Sequence, residues 1–454
     1  MQTSATSKRS VVMTLFLISV CLMAGTLLFL KHYSNGHAPG GQGDHYKILN
    51  KPWRFQTGDD LSWRNPAYND DGWEVVDLTA PPGAHDGDVG LSGYMPGWTS
   101  QGHADYAGYG WYRYKIPADS VPAGKLALLA PPAVDDAYQL YVNGNLLGSA
   151  GDFSKKIPLA YSIRPSFFLL PDSLSKDGQV TLAFRVWMSP GTLGQAPDLG
   201  GIHIAPVLGV KDTVESAYRF QWSQSIKGYI VEVVEPVIFV LLAIGVFSVL
   251  KSKEQFLLRK WLIVGLILLG LYRVNQAVYT WFQIESTHAY DVISTVLLRP
   301  MILGSWLTAW WHWYQPRLPG RIPWLVSALT ILYICAAFLG LAWTTGLADH
   351  DFFQNLTTYI RYLFLALLVL IVCGGIIQQP QKKWLGLLAV ILLSVGLFAR
   401  EFALLHLLPG IYFPYGVGVS LTQYVYAGFV IVIYIILYGY AIDQPSDRKT
   451  TNPL

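Results

Sequence analysis

Apolar residues fill the carboxy-terminal half of the chain in seven consecutive runs, at about 226–250, 260–282, 292–314, 322–343, 356–378, 384–408 and 418–441. Each is near the ~20 residues a helix needs to cross a ~30 Å hydrocarbon core. An eighth run, 11–30 (VVMTLFLISVCLMAGTLLFL), follows a polar start that carries Lys8 and Arg9. It is longer than the core of a usual signal peptide and no small-x-small cleavage site precedes Lys31, so it is expected to remain as an anchor helix. Between them the pattern changes. Residues 45–207 hold short alternating runs broken by Gly and Pro, the two-residue period of β-strands. Tyr138, Leu140 and Val142 alternate into Asn143-Gly144, a pair suited to a type I′ hairpin turn. VTLAFRVWM sets Val180, Leu182, Phe184 and Val186 on one strand face and Thr181, Arg185 and Trp187 on the other.

The expected order is a cytoplasmic amino terminus (1–10), a signal-anchor helix (11–30), a Gly-rich flexible linker (31–44), an exported all-β jelly-roll sandwich (45–207), a connector (208–225), a seven-helix transmembrane bundle (226–441) and a short cytoplasmic tail (442–454). The connector has no Gly or Pro after Gly209, so it is expected to be stiff. A hydrophobic fraction of 52% against 13% charged residues agrees with a membrane protein. Charge then sets the orientation. Lys251, Lys253, Arg259 and Lys260, then Arg317 and Arg321, then Lys382 and Lys383, then Arg448 and Lys449 fall in one set of loops. The loops at about 283–291, 344–355 and 409–417 contain no Lys or Arg. By the positive-inside rule the first set is cytoplasmic, which makes the chain a multi-pass protein of the inner membrane with 31–225 outside. No basic run of the kind that grips nucleic acid is present. Cys21, Cys335 and Cys373 all lie in apolar runs, which excludes a disulfide, a Cys-based zinc site or a cysteine nucleophile from the exported part.

Charged residues inside the apolar runs carry the candidate chemistry, because such groups need a partner, a cavity or a function. Counted inward at about 1.5 Å per residue, Glu232, Glu235, Arg273, Arg299, Arg361, Arg400 and Glu401 come out at one level, roughly 9–14 Å below the outer face. Gln276 shares a helix face with Arg273, and Arg361 is also placed to snorkel to the outer headgroups. One reading is a structural ion-pair network. The other is an outward-opening pocket in which four Arg against three Glu favour a carboxylate, phosphate or lipid headgroup. Trp306, Trp310, Trp311 and Trp313 are expected at the cytoplasmic interface. In the β module, Trp98 and Tyr106 are candidates for a sugar-stacking rim, although core packing accounts for such aromatics equally well. Asp135 and Asp136 are expected to hold a loop, with calcium as the alternative. No catalytic constellation, metal cluster or cofactor motif emerges.

PWRFQTGDDLSWRNPAYNDDGWEVVDL, then GYGWYRYKIP, then DDAYQLYVNGNLLG resembles the amino-terminal sugar-binding, galactose-binding-like jelly roll of family 2 glycoside hydrolases. The resemblance implies that Asp70, Asp71, Trp73, Trp111, Tyr112 and Arg113 are framework. The family's catalytic barrel has no counterpart here, so hydrolysis is not implied with the fold. A jelly roll followed by seven helices is similar to bacterial seven-transmembrane receptors with diverse intracellular signalling modules, although this sequence stops at DQPSDRKTTNPL where those receptors continue into an effector. That likeness implies a receptor that senses a carbohydrate or envelope-derived ligand and signals through a separate cytoplasmic protein. A transporter, or a membrane enzyme acting on an anionic or lipid-linked substrate at the Arg/Glu layer, is the alternative.

Overall fold

The computed structural model describes residues 3–33, 46–87, 89–117, 124–171, 179–193, 198–315, 319–341, 343, 349–378, 384–408 and 419–443. The expected linker beyond Tyr33, the tail beyond Asp443, and the loop residues Arg317, Lys382 and Lys383 lie outside this set. The chain forms two compact units. One comprises Tyr33–Tyr229 with Val278–Tyr290, and the other Met1–His32, Ile230–Ala277 and Asp291–Leu454.

The first unit is a β-sandwich. Its six-stranded antiparallel sheet runs β3 (Glu74–Val76), β2 (Trp53–Thr57), β4 (Gly108–Pro117), β10 (Gln179–Met188), β7 (Ala137–Val142), β8 (Asn145–Ala150). The second sheet runs β1 (Tyr46–Ile48), β12 (Val207–Val210), β5 (Leu126–Leu129), β9 (Phe167–Leu169), and β6 (Val134–Asp135) pairs with β11 (Gly201–Ile202) at one side. The β7–β8 turn is the one the sequence predicts, with Asn143 at φ 46° and Gly144 at φ 82°. Burial of Val180, Leu182, Phe184 and Val186 against Trp53, Phe55, Leu128 and Leu208 fills the space between the sheets. Each such side chain contributes roughly 1.5–3 kcal/mol.

The other face of β10 departs from the expected alternation, since Thr181 and Trp187 are buried as well. Behind the six-stranded sheet, Trp63, Tyr68 and Trp73 pack on Trp111, Tyr141 and Ala183 as a second aromatic layer. Arg113 is fully buried within reach of it. It donates to Asp70 Oδ2 at 2.8 Å and to the carbonyls of Trp63 and Asn65. Lys115 reaches the other oxygen of Asp70 at 2.6 Å. The motif residues Asp70, Trp73, Trp111 and Arg113 therefore form a buried, bonded framework. Helix α2 (Lys211–Tyr229; α1 is Thr3–Tyr33) lays Val214, Ala217 and Tyr218 on Ala127, Leu129, Phe167 and Val207 of the smaller sheet.

The second unit is helical: α1, α3 (Val231–Val249), α4 (Phe256–Trp281), then, after the short α5 (Thr287–Asp291), α6 (Arg299–Tyr314), α7 (Ile322–Leu339), α8 (His350–Gln378), α9 (Trp384–Leu397), α10 (Ala399–Leu404) and α11 (Leu421–Asp443). Among the described residues, six helical stretches are long and apolar enough to cross a membrane: Ser7–Lys31, Lys211–Val249, Thr287–Tyr314, Ile322–Leu339, His350–Ile377 and Leu421–Ile442. The run expected at 384–408 is two pieces, α9 and α10, that meet at Phe398. Helix α1 packs into this unit through Val12 and Leu30, and Ser19 Oγ lies 3.1 Å from Tyr434 Oη. Two of the tryptophans expected at the cytoplasmic interface are covered by protein. Trp306 and Trp310 are buried at 1% exposure, and Trp306 meets Phe429 edge-on at 5.3 Å. Gly265 makes room for this indole, because a Cβ there would stand 2.8 Å from it.

Candidate functional site

The seven charges separate by their partners. They divide into two bonded groups and two exposed arginines. In the first group Arg273 Nη1, from α4, donates to both oxygens of Glu232 at 3.1 and 3.2 Å, and Gln423 Nε2, from α11, donates to Glu232 Oε1 at 3.0 Å. Glu235, one turn on from Glu232 in α3, has Oε2 2.9 Å from Arg273 Nε, but neither atom has hydrogen-bond alignment. The guanidinium lies over Tyr426 at 5.5 Å. In the second group Arg361, from α8, holds both oxygens of Glu401, from α10, and donates to Tyr333 Oη at 3.3 Å and Leu397 O at 2.9 Å.

Arg361 is thus an internal ion-pair partner, which corrects the expectation that it snorkels; a forked bond to a buried carboxylate holds it more firmly than headgroup water would. Arg400 is exposed although its neighbour Glu401 is buried, because adjacent helical residues point about 100° apart. Arg299 is exposed and donates to Tyr272 Oη at 3.2 Å. Gln276 is half-buried on α4. Arg299 adjoins the first group through Tyr272, whose ring Arg273 also faces at 5.7 Å. Glu232, Glu235 and Arg273 together leave one carboxylate in excess, and Arg361 and Glu401 cancel. Sequence spacing identified the charges, but not Gln423, Tyr426 or Tyr333, which only helix packing brings to them.

In the β unit, Trp98 is not at an exposed rim. It is 2% exposed, donates to Tyr106 O at 3.1 Å, and is covered by the turn at Gly200 (φ 88°), where a Cβ would come 2.3 Å from its indole nitrogen. Tyr106 is half-buried, its phenol bridging the Gly58 amide at 2.9 Å and Tyr109 O at 2.6 Å. Asp135 and Asp136 hold loops. Asp136 Oδ2 accepts from Ser189 N at 2.8 Å and Thr192 Oγ1 at 2.6 Å. Asp135 Oδ2 accepts from Gly200 N at 2.9 Å and sits 2.8 Å from His203 Nε2. The buried His203 ring has Met95 O 2.9 Å from its other nitrogen and Tyr94 stacked on it at 5.0 Å. Both neighbours are acceptors, so only the imidazolium satisfies both. Burial pushes the His203 pKa down, but the Asp135 carboxylate and the Met95 carbonyl outweigh it and hold the pKa above its ordinary value.

A cleft that sequence reasoning missed lies at the edge strand β3. It has a volume of about 160 Å³, with the buried rings of Phe55, Trp98 and Tyr112 at its base and Glu74, Asp77, Gln101 and His103 among its walls. His103 Nε2 is 3.1 Å from Glu74 Oε2, and its ring packs edge-on against Phe55 at 5.4 Å. The cleft's accessible lining is mostly hydrogen-bonding groups, with the rings buried beneath them, and such a lining can bond the hydroxyls of a small polar ligand. Glu74 and His103 are 29 residues apart in the chain, and neither sits in a pattern that would have marked it.

The same unit holds a segment that the sequence assigned to the bundle. Arg164 Nη1 donates to Trp281 O at 3.0 Å, and Thr287 N donates to Ala160 O at 2.9 Å. Tyr279 and Tyr290 stack at 4.3 Å, which closes the strap 278–290 on itself. Helix α4 is therefore divided, with residues to Ala277 in the helical unit and Val278–Trp281 in the β unit.

A β-sandwich in one chain with membrane-length apolar helices is the class that these elements define. Its relatives lie on the sandwich side. Over 100 residues, 22% of the chain, the sequence is 35% identical to beta-galactosidase BoGH2A of Bacteroides ovatus, of which it spans 11%. Among solved structures, β-glucuronidase of Bacteroides uniformis is 22% identical over 36% of this chain and 17% of its own (TM-score 0.26). A β-glycosidase from Bacteroides vulgatus is 19% identical over 36% and 20% (TM-score 0.23). The chain is thus weakly homologous, over part of its length, to domains of family 2 glycoside hydrolases, and it spans about a tenth of the curated relative's length. No protein-family profile matches the chain.

Proposed function

We propose that the protein is a multi-pass membrane receptor in which an exported, carbohydrate-binding jelly roll biases a seven-helix bundle that signals to a separate cytoplasmic protein. The six apolar stretches support membrane insertion, and the alternation of basic and non-basic loops supports an outside β unit and an inside carboxy terminus. One observation carries the receptor reading: the strap between α4 and α6 is bonded into the β unit through Arg164 and Ala160. A ligand that changes the 160–164 loop changes the strap, and so acts on α4, which carries Arg273. Such a ligand shifts the bundle only by the difference in its affinity for the two bundle states.

The cleft at Glu74 and His103 is the proposed ligand site, and β-galactosides are the first compounds to try, given the name of the curated relative. We read the module as a binder, because the likeness covers only a small part of a hydrolase. The alternative use of the Arg/Glu layer for an anionic substrate is disfavoured, since Arg273 and Arg361 are already engaged by carboxylates. The test is calorimetry of glycans on the full chain in nanodiscs, combined with hydrogen exchange of 278–290. A saturable ligand is expected to slow exchange in the strap, and Arg164→Ala to keep the binding while losing that change. If no glycan binds, or if binding leaves the wild-type strap unchanged, the reading fails.

A further inference from the structure

One loop of the sandwich is held beside the start of a membrane-length helical stretch. Thr287–Tyr314 has 28 residues, about 42 Å of helix, which matches a bilayer together with its headgroup layers. Spanning would leave Thr287 at headgroup depth. The Thr287 amide donates to Ala160 O at 2.9 Å and Arg164 Nη1 donates to Trp281 O at 3.0 Å, so the 160–164 loop is tied to both ends of the strap. Just before that loop the chain makes a closed hairpin. Asp152 and Leu159 exchange both backbone hydrogen bonds at 2.9 Å, Pro158 is buried, and the ring of Phe153 lies under the Arg185 guanidinium at 5.7 Å. The tip is Ser154, Lys155, Lys156 and Ile157, all exposed, with Ile157 at 66%. Three residues separate Ile157 from Ala160, a reach of at most about 11 Å. The strap adds two exposed apolar side chains of its own, Phe282 at 51% and Ile284 at 75%.

We propose that this tip docks on an anionic phospholipid surface, with Lys155 and Lys156 donating to headgroup phosphates and Ile157 entering the interfacial layer. The charge of the hairpin fits such a surface. Its acidic residue, Asp152, is spent within the turn, where it accepts from Ser154 N at 2.9 Å, and this leaves two exposed ammonium groups beside an exposed apolar side chain. Lysine stems lie along an apolar boundary while their charges stay among the headgroups. Isoleucine gains nothing in water, and burial in the interface stabilises it. Phe282 and Ile284 stand within five residues of Thr287 and meet the same layer. This inference rests on 287–314 lying in a bilayer but not on the glycan-receptor reading, so either can fail without the other.

The experiment is fluorescence of the full chain in nanodiscs, with Cys21→Ser, Cys335→Ser and Cys373→Ser as background and a nitrobenzoxadiazole label on Ser154→Cys. The discs hold phosphatidylcholine, alone or mixed with phosphatidylglycerol, and a small share of lipid spin-labelled at the headgroup. Two lysines favour the docked tip by roughly thirtyfold on a strongly anionic surface. Quenching of the label is therefore expected to be weak in phosphatidylcholine, strong with phosphatidylglycerol, and weak again as salt is raised from about 0.01 M to about 1 M. The double variant Lys155→Gln, Lys156→Gln should lose the difference between the lipids, and Ile157→Ser should weaken quenching in both. No quenching in either disc, equal quenching in both, or an unchanged lipid preference in the folded double variant overturns the proposal. If the cysteine-free background does not fold, hydrogen exchange of 152–159 in the unaltered chain reads the same contact. Slower exchange with phosphatidylglycerol is expected there, and equal rates in the two lipids overturn the proposal.

Discussion

At the scale of single residues, Asp70 shows how a motif position becomes a structural requirement. Burial works against its charge, yet bonds from Lys115 and Arg113 hold the carboxyl below its ordinary pKa. Asp70→Asn leaves Arg113 buried without its counter-charge, which should destabilise the β unit by about 3–5 kcal/mol in urea unfolding; a loss under about 1 kcal/mol would show that the pair is dispensable. His203 carries the opposite sign. Its folded pKa is raised, so its contribution is fully present below the unfolded value of about 6.5 and is lost as pH rises through the folded value. The melting temperature of the β unit should therefore fall as pH is raised from about 6 to about 9, and His203→Gln should flatten that slope. An equal slope in the variant would assign the effect elsewhere.

At the scale of elements, each turn and strap depends on geometry that only particular residues allow. Gly200 closes the turn over Trp98 with a positive φ, and any side chain there collides with the indole. Gly200→Ala should cost about 1–3 kcal/mol from backbone strain alone and expose Trp98, read as a red shift of tryptophan emission. An unshifted spectrum with unchanged stability would refute that packing. In the helical unit, α8 and α10 are joined by Arg361 and Glu401, so Glu401→Gln should lower the nanodisc melting temperature by an amount corresponding to about 3–5 kcal/mol, while Arg400→Ala, on the exposed face next to it, should change little. Equal losses in the two variants would contradict the division of the layer.

At the scale of the whole molecule, each unit has its own apolar core. Calorimetry of the full chain should therefore resolve two transitions, with Asp70→Asn lowering one and Glu401→Gln the other. A single transition that moves with either substitution would mean that the two cores melt together. The strap 278–290 is the element through which sequence order and unit membership disagree, because it lies between helices of one unit and bonds within the other. The receptor proposal depends on this disagreement. It would be invisible to any division of the chain at residue 225 alone.

What the sequence determined by itself is whatever local period and local chemistry can dictate. The two-residue alternation of β10, the Asn143-Gly144 turn, the long apolar runs and the framework aromatics were legible because each is fixed by neighbours a few residues away. The sequence also identified the charged residues in the apolar runs. It did not determine their partners. Depth along a helix can be counted from sequence, whereas rotation about its axis and the neighbour it faces are set by packing. Hence Arg361 meets Glu401 rather than headgroups, and Arg400 is exposed beside it. Glu235 pairs with Arg273 at 2.9 Å, a contact that no spacing describes. Trp98 was read as a rim aromatic and is a covered one, since the Gly200 turn that covers it comes about a hundred residues later. The cleft at Glu74 and His103 and the strap on Arg164 are likewise products of tertiary contact. Long-range packing chooses among the faces that local sequence offers, and in this protein the candidate sites lie on the faces it chose.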